Sequence, residues 1–299
     1  MTRMTTTPIE RLAALPVRKK ARILSRWLPA AVIAAIVLGI GWAFATAPSM
    51  RWDVVGEFLF APRILEGIGT TILFTILTFV FGLALGVLVT VMRQSGNPVL
   101  AAACGAYIWL FRGTPLLVQL VFWFNLALIF PYLGVRIPEL GIAIGGDANA
   151  IVSPFTAALV GLTLHSAAYM AEVVRGGFLA VPPGQVDAAL AVGMTDLEAQ
   201  RYIVIPQAIR VILPPLGNQF IDILKATSIV SVIGGGDLMT RAQQIYGQNY
   251  QVIALLVVAS LWYLVLVTLA TIGQSYLERS LDRSRTRRPA VAIPTEVTA

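Results

Sequence analysis

The chain of 299 residues is 57% hydrophobic and only 12% charged, with a mean hydropathy of +0.79, far from the balance of a water-soluble domain. Its formal net charge of +7 comes from basic clusters that flank apolar runs without interleaved aromatic platforms, so it reads as membrane topology, with nucleic-acid binding a poor second explanation and no nucleic-acid partner expected. The composition is that of an integral membrane protein.

Crossing about 30 Å of hydrocarbon takes roughly 20 apolar residues in helical form. Runs of that kind predict spans at 28–47, 69–92, 115–133, 155–174, 216–233 and 252–277, an all-α integral membrane fold of about six transmembrane helices. Residues 1–27 form a basic tail carrying Arg3, Arg11, Arg18, Lys19, Lys20, Arg22 and Arg26. The run at 28–47 exceeds the 7–15 apolar residues of a signal peptide, so it reads as a retained anchor despite the small residues Ala45-Thr46-Ala47. At the other end, Arg279, Arg283, Arg285, Arg287 and Arg288 follow the last run, and 283–299 reads as a mobile tail. Lys and Arg collect on the cytoplasmic side, so both termini are expected there. Inner loops then hold Arg93, Arg175, Arg201 and Arg210, against Arg51, Arg63, Arg136 and Arg241 outside.

Between Asn97 and Phe111 lies a further apolar stretch ending at Arg112. It either begins the third span, with Arg112 at mid-membrane, or lies along the interface with that arginine snorkelling. The length of 115–133 favours the interface. Cys104, the single cysteine, can form no intramolecular disulfide and is assigned to packing. The longest outer loop, 134–153, has room for a short amphipathic piece.

The most informative polar stretch is 182–206. Pro182-Pro183-Gly184 opens a short helix that runs through Asp187-Ala188-Ala189-Leu190 to Gly193, whose freedom at positive φ suits a helix end. Thr195-Asp196-Leu197-Glu198 has the form of a capping box, predicting a second helix from Asp196 that Pro206 should end. The result is a helix–glycine turn–helix bracket.

Charged groups inside a membrane face a cavity or a partner. Lys225 lies roughly 15 Å along its span from Pro215, and His165 stands ten residues from Phe155 on a span running the opposite way, depths that permit one shared pocket. Lys225, His165, Thr227 and Ser228 suit a carboxylate, and Asp222 or backbone carbonyls an ammonium group. Alternatively, Asp222 and Lys225, three apart, neutralise one another. Arg112 is a candidate guide for anionic groups, and Glu172 and Arg175 a structural pair. Pro115 and Pro214-Pro215 are candidate kinks, and Gly234-Gly235-Gly236 loosens the outer end of the fifth span.

The pattern Asp187-Ala188-Ala189, three residues, Gly193, nine residues, Ile203-Val204-Ile205-Pro206 closely resembles the EAA-x3-G-x9-I-x-LP signature of ABC-importer permeases. Three further stretches look like the polar-amino-acid branch of that family: Phe111-Arg112-Gly113-Thr114-Pro115-Leu116-Leu117-Val118-Gln119, Ala168-Tyr169-Met170-Ala171-Glu172-Val173-Val174-Arg175 and Lys225-Ala226-Thr227-Ser228-Ile229-Val230-Ser231-Val232-Ile233. Asp187 replaces the usual Glu, Ile205 replaces Leu, and Ala226 stands where an acidic residue often follows the lysine.

The resemblance implies a five-helix type I importer core at 67–281 with 28–47 as an added anchor, in a bacterial plasma membrane. It implies that Asp187, Ala188, Ala189, Gly193, Ile203, Ile205 and Pro206 contact an ATPase. The implied partners are two ABC ATPase subunits that carry ATP and Mg, a second permease subunit of the same or another kind, an extracytoplasmic solute-binding protein and a polar amino acid. No cofactor, metal or catalytic residue is expected on this chain. Its lysines are Lys19, Lys20 and Lys225, and none sits in a phosphate-binding G-x-x-x-x-G-K-[ST] loop. The competing function is a proton-coupled carrier or channel with Asp222, Glu172 and His165 as a relay.

Overall fold

The computed structural model describes residues 21–47, 50–137 and 142–286. The terminal tails expected at 1–27 and 283–299 lie largely outside these residues. The chain divides into two compact units, Met1–Trp52 and Asp53–Ala299.

The first unit holds one long helix, α1 (Ala21–Thr46). Its segment Trp27–Thr46 is long and apolar enough to cross a membrane. The Trp52 indole donates to the Ala45 carbonyl across 2.9 Å and fastens the end of this unit onto α1.

The second unit is built on α2 (Trp52–Leu59), α3 (Pro62–Arg93), α4 (Pro98–Gly113), α5 (Leu116–Phe124), α6 (Ala148–Ile151), α7 (Pro154–Leu179), α8 (Gly184–Ala191), α9 (Asp196–Ala199), α10 (Ile205–Ala226), α11 (Leu238–Asn249) and α12 (Val252–Thr286). The helices α3, α7 and α12 are each long and apolar enough to span. Two bent pairs, α4 with α5 and the path from α9 through α10 with α11, qualify when each is taken as one span, giving four to six spans among the described residues.

Helix α7 is the hub. Where α3 crosses it, a Cβ at Gly86 would stand 3.0 Å from both the Ala171 nitrogen and the Met170 Cβ, so any larger residue would push the two helices apart by a few tenths of an ångström. The Thr90 hydroxyl then reaches the Ala171 carbonyl at 2.9 Å. Farther along α7, Ala157, Ala158 and Leu162 pack with Phe74, Leu120 and Val230, while Met170 and Val174 pack with Ala208, Ile212 and Ile223. Cys104 is buried with Val89, Ile108 and Ala171, in the packing role assigned to it.

The third predicted span requires correction. Only Leu116–Phe124 of 115–133 is α-helical, which at about 1.5 Å per residue is far too short to cross. Thr114 is extended because the following Pro115 disfavours helical backbone before it, and α4 meets α5 at 104°. Past Phe124 the chain enters a β-hairpin, Tyr132–Ile137 (β1) against Ile142–Asp147 (β2), with Gly134 opposite Gly145. This hairpin and the short α6 occupy the loop expected to hold an amphipathic piece, and they are the departure from an otherwise helical fold.

Pro206 also behaves differently from expectation. It does not end the second helix of the bracket. Residues Gln200–Val204 form a wide π-type turn, and Pro206 falls in the first turn of α10, where its missing N–H costs little. The helical path then continues through Pro214 and Pro215 and a 3₁₀ stretch, Thr227–Ile233, to Gly234 at φ 70°, where it bends by 41° into α11.

Candidate functional site

The bracket at 182–206 is closed by its own backbone. Gly193 sits at φ 87°, and the amides of Gly193 and Met194 donate to the carbonyls of Leu190 and Ala189 at 3.0 and 3.1 Å. This pair of bonds terminates α8 and reverses the chain in two residues. The Glu198 carboxylate accepts from the Thr195 amide and hydroxyl, each at 2.8 Å, while the Glu198 amide donates to the Thr195 hydroxyl, so the capping box forms in full. Beneath this surface Ala189, Ala199 and Val204 are buried.

The outward face carries Asp187 and Ala188 with a band of exposed apolar side chains. Val192 is 78% and Leu197 77% exposed, and Leu190, Tyr202 and Ile205 join them. Ile203 is half-buried and Pro206 exposed. Asp187 makes no ion pair among the described residues. The sequence motif marks its own residues but not Val192 and Leu197, whose signal is apolar character next to a helix-ending glycine.

At the same end of the spans, Glu172 joins two arginines. Its carboxylate accepts from Arg93 at 2.5 Å and from Arg175 at 2.6 and 3.0 Å. The Glu172–Arg175 pair matches expectation. Arg93, seventy-nine positions away in sequence, is an addition to it.

Arg112 lies beside the middle turns of α7, its guanidinium 5.1 Å from the Tyr169 ring centroid. Only Leu116–Phe124 of the expected long third span is α-helical, so span length no longer favours an interfacial Arg112. The His165 ring is 5.0 Å from the same tyrosine and is close to the Phe111 backbone carbonyl. His165 Nδ1 is buried without a hydrogen-bond partner among the described residues. Gln119 holds the bend nearby, donating to the carbonyls of Phe111 at 3.0 Å and Thr114 at 3.1 Å. Tyr107 donates to the Leu164 carbonyl at 2.6 Å. Nothing in the sequence marks Gln119 or Tyr107 for this role, although Gln119 belongs to the Phe111–Gln119 stretch.

On α10, Lys225 and Asp222 form an ion pair at 2.8 Å with both side chains more than half exposed. Thr227 corrects the pocket set: it is fully buried, donating to the Leu224 carbonyl and approaching the Tyr263 hydroxyl at 3.4 Å. Ser228 is partly exposed and donates to the Lys225 carbonyl. Asp222, Glu172 and His165 are thus engaged with separate partners, and no hydrogen bond or ion pair links the three among the described residues.

Comparison with known proteins gives this geometry a family. The profile described as "Binding-protein-dependent transport system inner membrane component" matches residues 82–283. The arginine transport system permease protein ArgU of Corynebacterium glutamicum is 38% identical over 274 residues, covering 90% of this chain and 84% of that protein. The probable amino-acid ABC transporter permease protein PatM of Vibrio harveyi is 37% identical, covering 76% and 95%. Among solved structures, a chain from the crystal structure of an amino acid ABC transporter with histidines matches with a TM-score of 0.65 at 35% identity, covering 76% of this chain and 98% of its own. The chain belongs to the binding-protein-dependent transport system inner membrane components, among the amino-acid ABC permeases.

Proposed function

We propose that this chain is the translocation subunit of an ATP-driven importer for a polar amino acid. The observation that carries this reading is the bracket: a two-helix hairpin locked by Gly193 and the Thr195–Glu198 cap, presenting Val192, Leu197 and Asp187 outward. An apolar band flanked by exposed carboxylates, Asp187 and Asp196 among them, with no ion pair among the described residues suits a protein partner that supplies a groove and cations. That partner is a pair of separate ATPase subunits holding ATP and Mg, and their closure moves the bracket and the spans attached to it. A solute-binding protein delivers substrate at the opposite end, and a second permease subunit completes the pathway. Both termini lie on the ATPase side, with 1–27 and 283–299 as tails, 28–47 as an added anchor and 67–281 as the permease core.

The polar-amino-acid assignment follows the names of the relatives, and the chemistry within the spans suits it. The exposed Asp222–Lys225 pair offers charges of both signs, and Nδ1 of His165, without a partner among the described residues, offers a further polar contact, with Arg112 and Ser228 on or beside these elements. Reconstituted complex should take up one or more polar amino acids from a labelled panel only while ATP is supplied. Uptake that persists after ATP depletion on a maintained proton gradient would establish the carrier reading instead.

A further inference from the structure

A cleft of about 460 Å³ opens between the bracket and the ends of two spans. Arg93 from the end of α3 and Arg175 from α7 form its charged part, joined by Gln200 of the π-type turn. Phe178, Leu179 and Val186 belong to its apolar part, and Leu179 is 68% exposed. No carboxylate is among its lining residues.

The charges do not balance. Two guanidiniums share the single Glu172 carboxylate, and the two arginine side chains remain about one-third exposed. Most of their N–H donors take part in no hydrogen bond among the described residues. Pinning α3 to α7 needs one arginine against one glutamate, so the second cation is surplus to that structural task. A purely aqueous cleft has no use for the apolar wall, and an apolar ligand has none for the arginines. Both are matched by an amphiphile with an anionic head.

We infer that the cleft binds the headgroup of an anionic phospholipid from the adjoining leaflet, its phosphate on Arg93 and Arg175 and its glycerol and first methylenes along Phe178 and Leu179. The bound lipid joins the ends of α3 and α7 to the coupling bracket, so lipid charge influences the joint through which the bracket moves. The influence on the joint rests on the coupling role proposed above for the bracket, whereas the lipid binding does not, and neither depends on which substrate is carried.

The test is native mass spectrometry of the purified transporter complex, delipidated and titrated with phosphatidylglycerol or with phosphatidylcholine of the same chains. Phosphatidylglycerol should be retained preferentially. Glu172→Gln releases both guanidiniums and should tighten retention about fivefold, while Arg175→Gln should weaken it about fivefold. Gln200→Glu places a negative charge in the cleft with both ion pairs intact, and should also weaken retention, which keeps the test sound if a Glu172 variant fails to fold. Equal retention of the two lipids, or weakening by Glu172→Gln as well as by Arg175→Gln, would overturn the inference. Complete displacement of phosphatidylglycerol by inorganic phosphate at matched concentration would reassign the cleft to a soluble anion and likewise refute it.

Discussion

The side-chain amide of Gln119 donates to the backbone carbonyl of Phe111 across 3.0 Å, tying the first turn of α5 to the last turn of α4 around a 104° bend. A helix broken in this way leaves carbonyls without their usual amides, and in hydrocarbon no water replaces them. Gln119, itself buried, serves Phe111 and Thr114 together.

Replacing it by the similarly sized Leu should therefore cost about 1–3 kcal/mol. Thermal unfolding of the detergent-solubilised complex should show a midpoint lowered by about 2–4 °C for each kcal/mol lost. An unchanged midpoint would mean that the bend is held by packing alone.

The turn at Gly193 makes a second prediction. At φ 87° any L side chain is strained by roughly 1–2 kcal/mol, and a β-branched one by more. Gly193→Val should leave the complex assembled and ATP hydrolysis measurable while amino-acid uptake falls on the order of tenfold. Gly193→Asn, which tolerates positive φ, should retain most uptake. Normal uptake by the Val variant would remove the bracket from the coupling path.

The bracket is legible in the amino-acid sequence because its determinants are local. A positive-φ glycine and a T-x-x-E cap act within four residues, so their spacing is their mechanism. Elements set by more than local spacing are not legible in the same way. Hydropathy reads 115–133 as one apolar run, yet Pro115 forces Thr114 out of helical backbone and the chain leaves α-helix again after Phe124. Pro206 reads as a stop, but its clash with the preceding turn is relieved when that turn widens at Gln200–Val204. Thr227 reads as a midplane hydroxyl, yet the switch to 3₁₀ winding turns it toward Tyr263. Arg93 and Glu172 meet across the close α3–α7 crossing at Gly86, a relation with no periodicity to betray it.

The pair on α10 gives a third prediction. Lys225→Met alone strands Asp222, so the informative comparison adds Asp222→Asn, which removes both charges together. The double variant should assemble at normal yield, and its substrate uptake should fall about tenfold through rate or apparent affinity. Transport kinetics equal to those of the unmodified complex would confine the pair to mutual neutralisation.

The π-type turn at Gln200–Val204 has an effect far from itself. It takes in one residue more than an ordinary α turn, and each residue in a helix corresponds to about 100° of rotation. Every side chain downstream is therefore phased by that additional residue. The compass bearing of Asp222 and Lys225 around their helix is set some twenty positions earlier, by a turn that touches neither.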